Sequence, residues 1–292
     1  MKKINDTRLS YSSAKLLQSC SMKYNFYKVA NTPKDPDASQ NEDAFNIGKA
    51  FHQVLENTNH VYNDATLEKE LVASCKMYDV EEHQAMINAM LLKYHKLHIR
   101  SGLRAIVNEI QLDNDIFLGY VDSIMRDDVT GKWWVVDLKT AASIYDKTYI
   151  TLERDVQLSL YASFAEEIAK DAREMGEDLD MENFGGVRYR VTSKPKIKRK
   201  KNESYGEYVL RIANAASCRS LDIVIPKERL RPKETYEEHK KLHQLSLDIR
   251  SGKVKPVCNY ANCFSYFRPC DWFSKCHGGT ATEVNNRLEI IE

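Results

Sequence analysis

Several things are missing from these 292 residues, and each absence removes a class of protein. No apolar run approaches the ~20 residues that a membrane-spanning helix requires. The opening Met1-Lys2-Lys3-Ile4-Asn5-Asp6 carries no secretory leader and leads straight into structured-looking sequence. A cytosolic chain with no membrane partner is therefore expected. Net charge is nearly absent too: 43 Lys and Arg against 42 Asp and Glu leave +1. Bulk charge draws in no polyanion, so any basic surface must be local. There is no internal repeat and no long low-complexity linker, which argues against a solenoid or a tethered array. The cysteine count is seven, odd for a disulfide framework that a reducing cytosol would disfavour anyway. What is present is a 42% hydrophobic content, enough for a sizeable core, and 29% charged residues, as in soluble proteins. The length allows one large domain or two small ones.

Residues 8–30 read as a helix capped by Ser10 or Ser12, with Leu16, Leu17 and Tyr24 apolar. A loop follows at 32–37, then an amphipathic helix over 43–57 with Phe45, Ala50, Phe51, Val54 and Leu55. Residues 65–100 read as two helices. Strands are expected near 104–112, 115–125, 132–139, 186–191 and 219–225, and helices near 151–173, 203–216 and 233–250. The order of helices, three strands, helix and strand predicts an α/β fold with a mixed sheet and no alternating βαβ units.

Asp137-Leu138-Lys139 ends the apolar run Trp133-Trp134-Val135-Val136, which reads as a buried strand. Strand alternation points Asp137 and Lys139 the same way and Leu138 the other. Fifteen residues earlier Asp122 ends Phe117-Leu118-Gly119-Tyr120-Val121, where the glycine marks a close approach. The intervening 127–132, Asp-Asp-Val-Thr-Gly-Lys, reads as a hairpin loop. Folded, the hairpin gathers two carboxylates and a lysine, which is what a magnesium-dependent phosphodiesterase needs. Carboxylates hold the hard cation, and the cation activates water and takes up phosphate charge.

Other residues can join this pair. His52 lies one turn after Gly48 in Gly48-Lys49-Ala50-Phe51-His52 and offers an imidazole ligand, although a lone helical histidine is more often structural. Glu109 sits on the preceding strand, where a solvent-facing glutamate is the plainer reading. Gln157 and Tyr161 share a helix face at i and i+4. Gln157 can orient a water or phosphate oxygen, and Tyr161 can donate to phosphate or stack on a base. The run Lys194, Lys196, Lys198, Arg199, Lys200, Lys201 suits phosphate-backbone contact, or is a solvated loop.

Cys258, Cys263, Cys270 and Cys276 crowd into nineteen residues, interleaved with Tyr260, Phe264, Tyr266, Phe267, Trp272 and Phe273. Their gaps of four, six and five are irregular for zinc, whose sites favour paired short spacings. Four thiolates can instead bind [4Fe–4S].

Taken in order, Gly48…His52, Glu109, Gly119…Asp122, Asp137-Leu138-Lys139 and Gln157…Tyr161 resemble the PD-(D/E)XK nuclease superfamily. The match is nearest to its RecB/AddB-type branch with an iron–sulfur cluster. Leu9-Ser10-Tyr11-Ser12-Ser13 through Cys20 and Tyr24, and Cys263-x6-Cys270-x5-Cys276, also resemble that branch. Val187-Arg188-Tyr189-Arg190-Val191, leading into the basic run, looks like its phage-type exonucleases. The resemblance spans nearly the whole chain. It implies a restriction-endonuclease-like core, with a central mixed sheet flanked by helices, in a single nuclease domain over 1–292. Within it, 58–103 would be a helical insertion and 253–280 a cysteine-rich tail packing with the 8–30 helix.

The resemblance also assigns roles. Asp122, Asp137, His52 and the Leu138 carbonyl would bind Mg2+ or Mn2+. Lys139 would position the attacking water or stabilise the phosphate. Glu109 would tune Lys139 or a second metal, and Gln157 and Tyr161 would orient the strand. Cys20, Cys263, Cys270 and Cys276 would ligate [4Fe–4S], with Zn2+ as the alternative metal, stapling the chain ends over the nuclease core. Cys258 is then spare, and Cys75 and Cys218 are ordinary core cysteines. Asp137 stands where glutamate is common in some members, within the D/E pattern. The implied activity is a DNA exonuclease of replication, recombination or repair acting on single strands or free duplex ends. The rivals are a silent nuclease-like module that holds DNA ends or a partner, and a zinc-stabilised structural protein. The sequence has no P-loop of the G-x4-G-K-[ST] type, so a helicase or recombinase partner would be a separate chain.

Overall fold

The structure is a computed structural model that describes residues 7–35, 42–61, 63–144, 152–265 and 268–279. Met1–Asp6, Pro36 and Asp37 of the expected loop, Thr151 of the expected helix, Tyr266 and Phe267 among the tail aromatics, and the end of the tail at Thr280 lie outside these.

In chain order the helices are α1 (Tyr11–Ser19), α2 (Ser21–Tyr24), α3 (Glu42–Asn57), α4 (Asp64–Met77), α5 (Gln84–Ser101), α6 (Val156–Ala162), α7 (Ala165–Glu174), α8 (Tyr205–Asn214), α9 (Pro232–Arg250) and α10 (Phe273–His277). The strands are β1 (Leu103–Asp113), β2 (Leu118–Asp127), β3 (Trp133–Ala141), β4 (Phe184–Ser193), β5 (Ser220–Pro226), β6 (Phe264–Ser265) and β7 (Arg268–Pro269). They fall into two compact units. One comprises residues 1–40, 113–119 and 236–292; the other comprises 41–112 and 120–235.

The second unit holds a five-stranded sheet in the order β1-β2-β3-β4-β5. β2 and β3 are antiparallel, β3 and β4 parallel, and β4 and β5 antiparallel. The sheet is therefore mixed, as expected. The β2–β3 turn closes through Asp127 N–H to Lys132 O at 2.8 Å and Gly131 N–H to Asp127 O at 2.8 Å. The parallel β3–β4 step needs a crossover, which α6 and α7 supply. The expected helix 151–173 is two: Ser163 N–H and Phe164 N–H turn back onto Leu160 O and Tyr161 O in tight i→i+3 bonds, ending α6.

β3 is central and buried from Trp133 to Leu138 apart from the partly covered Trp134. Leu138 joins a core with Ile47, Phe51, Val54, Leu55 and Tyr94. Each large apolar side chain buried there contributes about 1.5–3 kcal/mol. Helix α3 explains itself by period: Ile47, Ala50, Phe51, Val54 and Leu55 form one buried stripe. Gly48 lets it approach β3, because a Cβ there would lie 3.0 Å from Thr140 Oγ1. α8 opens with a capping box between Ser204 and Glu207.

Beneath the sheet runs a buried polar chain. Arg190 is 1% exposed. It donates to Asp222 Oδ2 at 2.9 Å, Tyr94 Oη at 3.1 Å and Ser101 Oγ at 2.8 Å, and contacts His98 Nδ1 at 2.9 Å. Tyr94 Oη meets His60 Nδ1 at 2.8 Å, and His60 Nε2 meets Asn108 Oδ1 at 3.0 Å. With Tyr94 donating onward to Nδ1, His60 fits as a neutral imidazole protonated on Nε2.

In the first unit, Ser10 is the cap of α1, its Oγ accepting from Ser13 N–H at 3.3 Å. The expected single helix 8–30 breaks at Cys20, whose backbone is extended (φ −166°, ψ 111°). A short α2 and a π-type turn over Asn25–Val29 follow. The break frees the Ser19 carbonyl, which accepts from Asn259 Nδ2 at 3.0 Å and Asn262 Nδ2 at 2.6 Å. Leu9, Ala14, Leu17 and Tyr24 pack with Ile249 of α9. Gly119 is required by the Phe117 ring, which occupies the place of its missing Cβ.

Candidate active site

Ser123 of β2 pairs with Val136 of β3. One further step of that antiparallel register sets Asp122 beside Asp137. Asp122 Oδ2 accepts from Leu138 N–H at 2.5 Å, so the carboxylate takes up a donor at the point where the ladder ends. Asp137 is 1% exposed, and its Oδ1 accepts from Lys139 Nζ at 2.6 Å. Leu138 turns its side chain into the core, as alternation requires. Asp137 Oδ2 is buried and, among the described residues, has no hydrogen-bond partner. An orphaned buried acceptor is costly and calls for a cation or a donor.

His52 reaches this pair from α3, with Nδ1 at 3.4 Å from Asp122 Oδ1. The carboxylates respond oppositely to their surroundings. Burial pushes Asp122 up, but His52, Lys139 and the Leu138 N–H together hold it below the usual carboxylate range. Asp137 is raised: burial dominates, Lys139 opposes it, and the Asp122 charge adds to it. Burial alone would lower the Lys139 ammonium, but Asp137 and Asp122 raise it. Two carboxylates, an imidazole and a backbone carbonyl are the donor types a hard divalent cation takes, although His52, Asp122 and Asp137 do not bring three ligand atoms all within 4.8 Å of one another.

His52, Leu138 and Lys139 border a cleft of about 650 Å³ that Glu109 and Lys194, among others, also line. Glu109 is no ordinary strand residue. Its φ of 50° lies in the left-handed region, rare for a side chain of this kind and a mark of strain. Its neighbour Asn108 is tied to His60, which anchors the distorted stretch of β1. Glu109 is solvent-exposed, as a strand glutamate is expected to be, yet desolvation on its cleft side, then Asp122 and Glu56, raise its pKa to about 7. Glu56, one turn beyond His52 on α3, lines the same cleft and belongs to no motif; helical spacing from His52 is the only signal that could have found it.

Gln157 Nε2 donates to Tyr161 Oη at 2.7 Å, as their spacing suggests. Tyr161 is only 5% exposed. Burial, followed by the Asp137 charge, raises its phenol. Its ring has no open face on which a base could stack.

The basic run divides. Lys194 Nζ sits at the cleft, donating to Ala44 O at 2.8 Å and Thr140 Oγ1 at 3.3 Å. Arg199 is committed to the Glu203 carbonyl through Nε at 2.9 Å and Nη2 at 2.7 Å. Lys196, Lys198, Lys200 and Lys201 are exposed. Asp43, Glu82 and His83 offer ligand atoms within 4.8 Å of one another. Lys194, Lys196 and Lys198 line the same hollow, and their charge opposes a cation there.

In the first unit, Cys20, Cys258, Cys263, Cys270 and Cys276 all line one small cavity. Cys258, spare by resemblance, lies with Sγ 3.2 Å from Cys276 Sγ. Among the described residues, no three of these sulfurs are all within 4.8 Å of one another. Cys75 and Cys218 are buried elsewhere. No described helix is long and apolar enough to cross a membrane.

A sequence model of the PD-(D/E)XK nuclease superfamily matches residues 8–277. Among curated proteins none matches the chain.

Proposed function

We propose, from the premise that this chain belongs to the PD-(D/E)XK nuclease superfamily, that it is a Mg2+- or Mn2+-dependent deoxyribonuclease that works as an exonuclease. The observation that carries the reading is the buried Asp137 Oδ2, without a hydrogen-bond partner among the described residues, beside Asp122 and beside Lys139, which lines a cleft with His52 and Leu138. Asp122, Asp137, His52 and the Leu138 carbonyl would hold the metal. When bound, it supplies a Lewis acid for the phosphate and a more acidic water.

The chain's own groups do the rest. Lys139, held by Asp137, presents a positive charge where the phosphate gains negative charge. Tyr161 and Gln157, bonded to each other, would orient the strand. Glu109, with its raised pKa, is suited to take or hold a proton near neutral pH. Lys194, with Lys196, Lys198, Lys200 and Lys201, meets the phosphate backbone, whereas the engagement of Arg199 with Glu203 makes it the weakest member of that set.

The same reading assigns Cys20, Cys263, Cys270 and Cys276 to a [4Fe–4S] cluster of the RecB/AddB kind, which staples the N-terminal helix to the tail. What supports it is the five thiols that line one cavity. Thiolate ligands call for a reducing compartment, and we place the protein in the cytosol. We treat 1–292 as one nuclease domain serving recombination or repair, with any helicase on another chain.

The test is digestion of end-labelled linear DNA with Mg2+, Mn2+ or EDTA. Cleavage should require metal and should fall at least a hundredfold in Lys139→Ala while circular dichroism is unchanged. Wild-type cutting by Lys139→Ala would overturn the assignment of Lys139. DNA that is bound but never cut would leave only a binding module.

A further inference from the structure

The cleft continues past the metal-site residues along α3. The helix buries Ile47, Ala50, Phe51, Val54 and Leu55. Its remaining stripe, Phe45, Lys49, His52 and Glu56, lines the cleft. Phe45 at the outer end is 66% exposed, large and apolar where a surface helix would normally carry a polar residue. Lys49 Nζ lies over the Phe45 ring at 4.3 Å from its centroid and 5.6 Å from the Tyr78 centroid. Tyr78 lines the same cleft and is held by its hydroxyl, which donates to Gln53 Oε1 at 3.2 Å.

We propose that Phe45, Lys49 and Tyr78 form a base-stacking lip at the open end of this cleft, and that the substrate is a single strand with unstacked bases. The proposal rests on the nuclease reading of the same cleft and names its substrate class. An aromatic ring can stack only on a base whose face is bare, and bases within a duplex have none. Lys49 covers one face of Phe45 and leaves the other for a nucleobase, while its ammonium can meet the adjoining phosphate. Lys49, Lys139 and Lys194 together place three positive groups along the wall. The cleft is the size of pockets that hold one small ligand, ~300–1,000 Å³, which suits a few nucleotides of one strand.

The spacing sets the register. Seven helical residues separate Phe45 from His52, about 10 Å along the axis. At ~3.4 Å per stacked step this spans about three nucleotides, and fewer in a stretched strand. The stacked base therefore lies two or three nucleotides from the scissile phosphate.

The experiment places a single 2-aminopurine at each of the first several positions from either end of a short single-stranded DNA and reads its fluorescence in EDTA. Stacking on Phe45 should change the emission at one position, with wild type and Phe45→Trp alike and Phe45→Leu without the change. With Mg2+, Phe45→Leu should raise KM for single strands by about tenfold, more than it lowers kcat. An abasic nucleotide at the responsive position should make wild type behave like Phe45→Leu. No position-dependent signal, a signal that survives Phe45→Leu, or equal loss on blunt duplex would overturn the proposal. Its failure is distinct from failure of the nuclease reading: wild type that cuts normally with an unresponsive Phe45 sinks the lip alone. Metal-dependent cleavage that never occurs, with stacking intact, sinks the nuclease reading alone.

Discussion

Acidification should destabilise this fold through its buried imidazoles, and His60→Gln tests the contribution of one of them. Burial first, then His98 and Arg190, lower the His60 pKa from 6.5 to about 3. The unfolded chain therefore takes this proton as pH falls through about 6.5, whereas the folded protein takes it only near pH 3. Between those values the unfolded state binds more protons and gains from acid. At about pH 5 the gap is roughly 1.5 pH units, worth ~2 kcal/mol at ~1.36 kcal/mol per unit. Glu109 and Asp137 have the opposite sign: with raised folded pKa values they take protons before the unfolded chain does, so mild acid relieves them. The wild-type pH slope mixes both effects, and only the difference between the two proteins separates them.

Glutamine can accept from Tyr94 and donate to Asn108 in place of His60, without a titrating group. The assay is urea unfolding followed by the fluorescence of the three tryptophans, Trp133, Trp134 and Trp272, at about pH 7.5 and about pH 5. The advantage of wild type over His60→Gln should shrink by ~2 kcal/mol, and the variant can become the more stable of the two in acid. A difference identical at both pH values would refute the reasoning, because it would mean that His60 titrates alike folded and unfolded.

Two further outcomes follow from the candidate sites. Mg2+ should stabilise wild type by binding the folded state, by about 2.7 kcal/mol at a hundred times its dissociation constant, and so raise its thermal midpoint. Asp137→Asn should lose that gain, and an undiminished response, read by differential scanning calorimetry, would remove Asp137 from the ligand set. Anaerobically purified wild type should be brown, with about four irons and four sulfides per chain. Cys263→Ser should lose both and Cys258→Ser should keep both, and one zinc without sulfide in wild type would overturn the cluster assignment.

The strand period by itself places Asp137 and Lys139 on one side and Leu138 on the other. The β2–β3 turn residues brought Asp122 within reach, and helical phase put His52 on the face that Gly48 draws toward β3. These relations are local or bridge one short turn, so chain geometry alone determines them. Their resemblance to a nuclease motif set was legible for the same reason.

Tertiary structure decided what depends on residues far apart in the chain. The left-handed Glu109 comes with an anchor running through His60, Tyr94 and Arg190, contributed by separate elements. The burial of Tyr161 removed its ring as a stacking surface, while the exposure of Phe45 supplied another. The break at Cys20 and the arrival of Cys258 at the thiol cavity depend on the tail meeting the N-terminal helix. A side chain's period says which face it shares with its neighbours, but only packing says whether that face is closed, strained or open to a substrate.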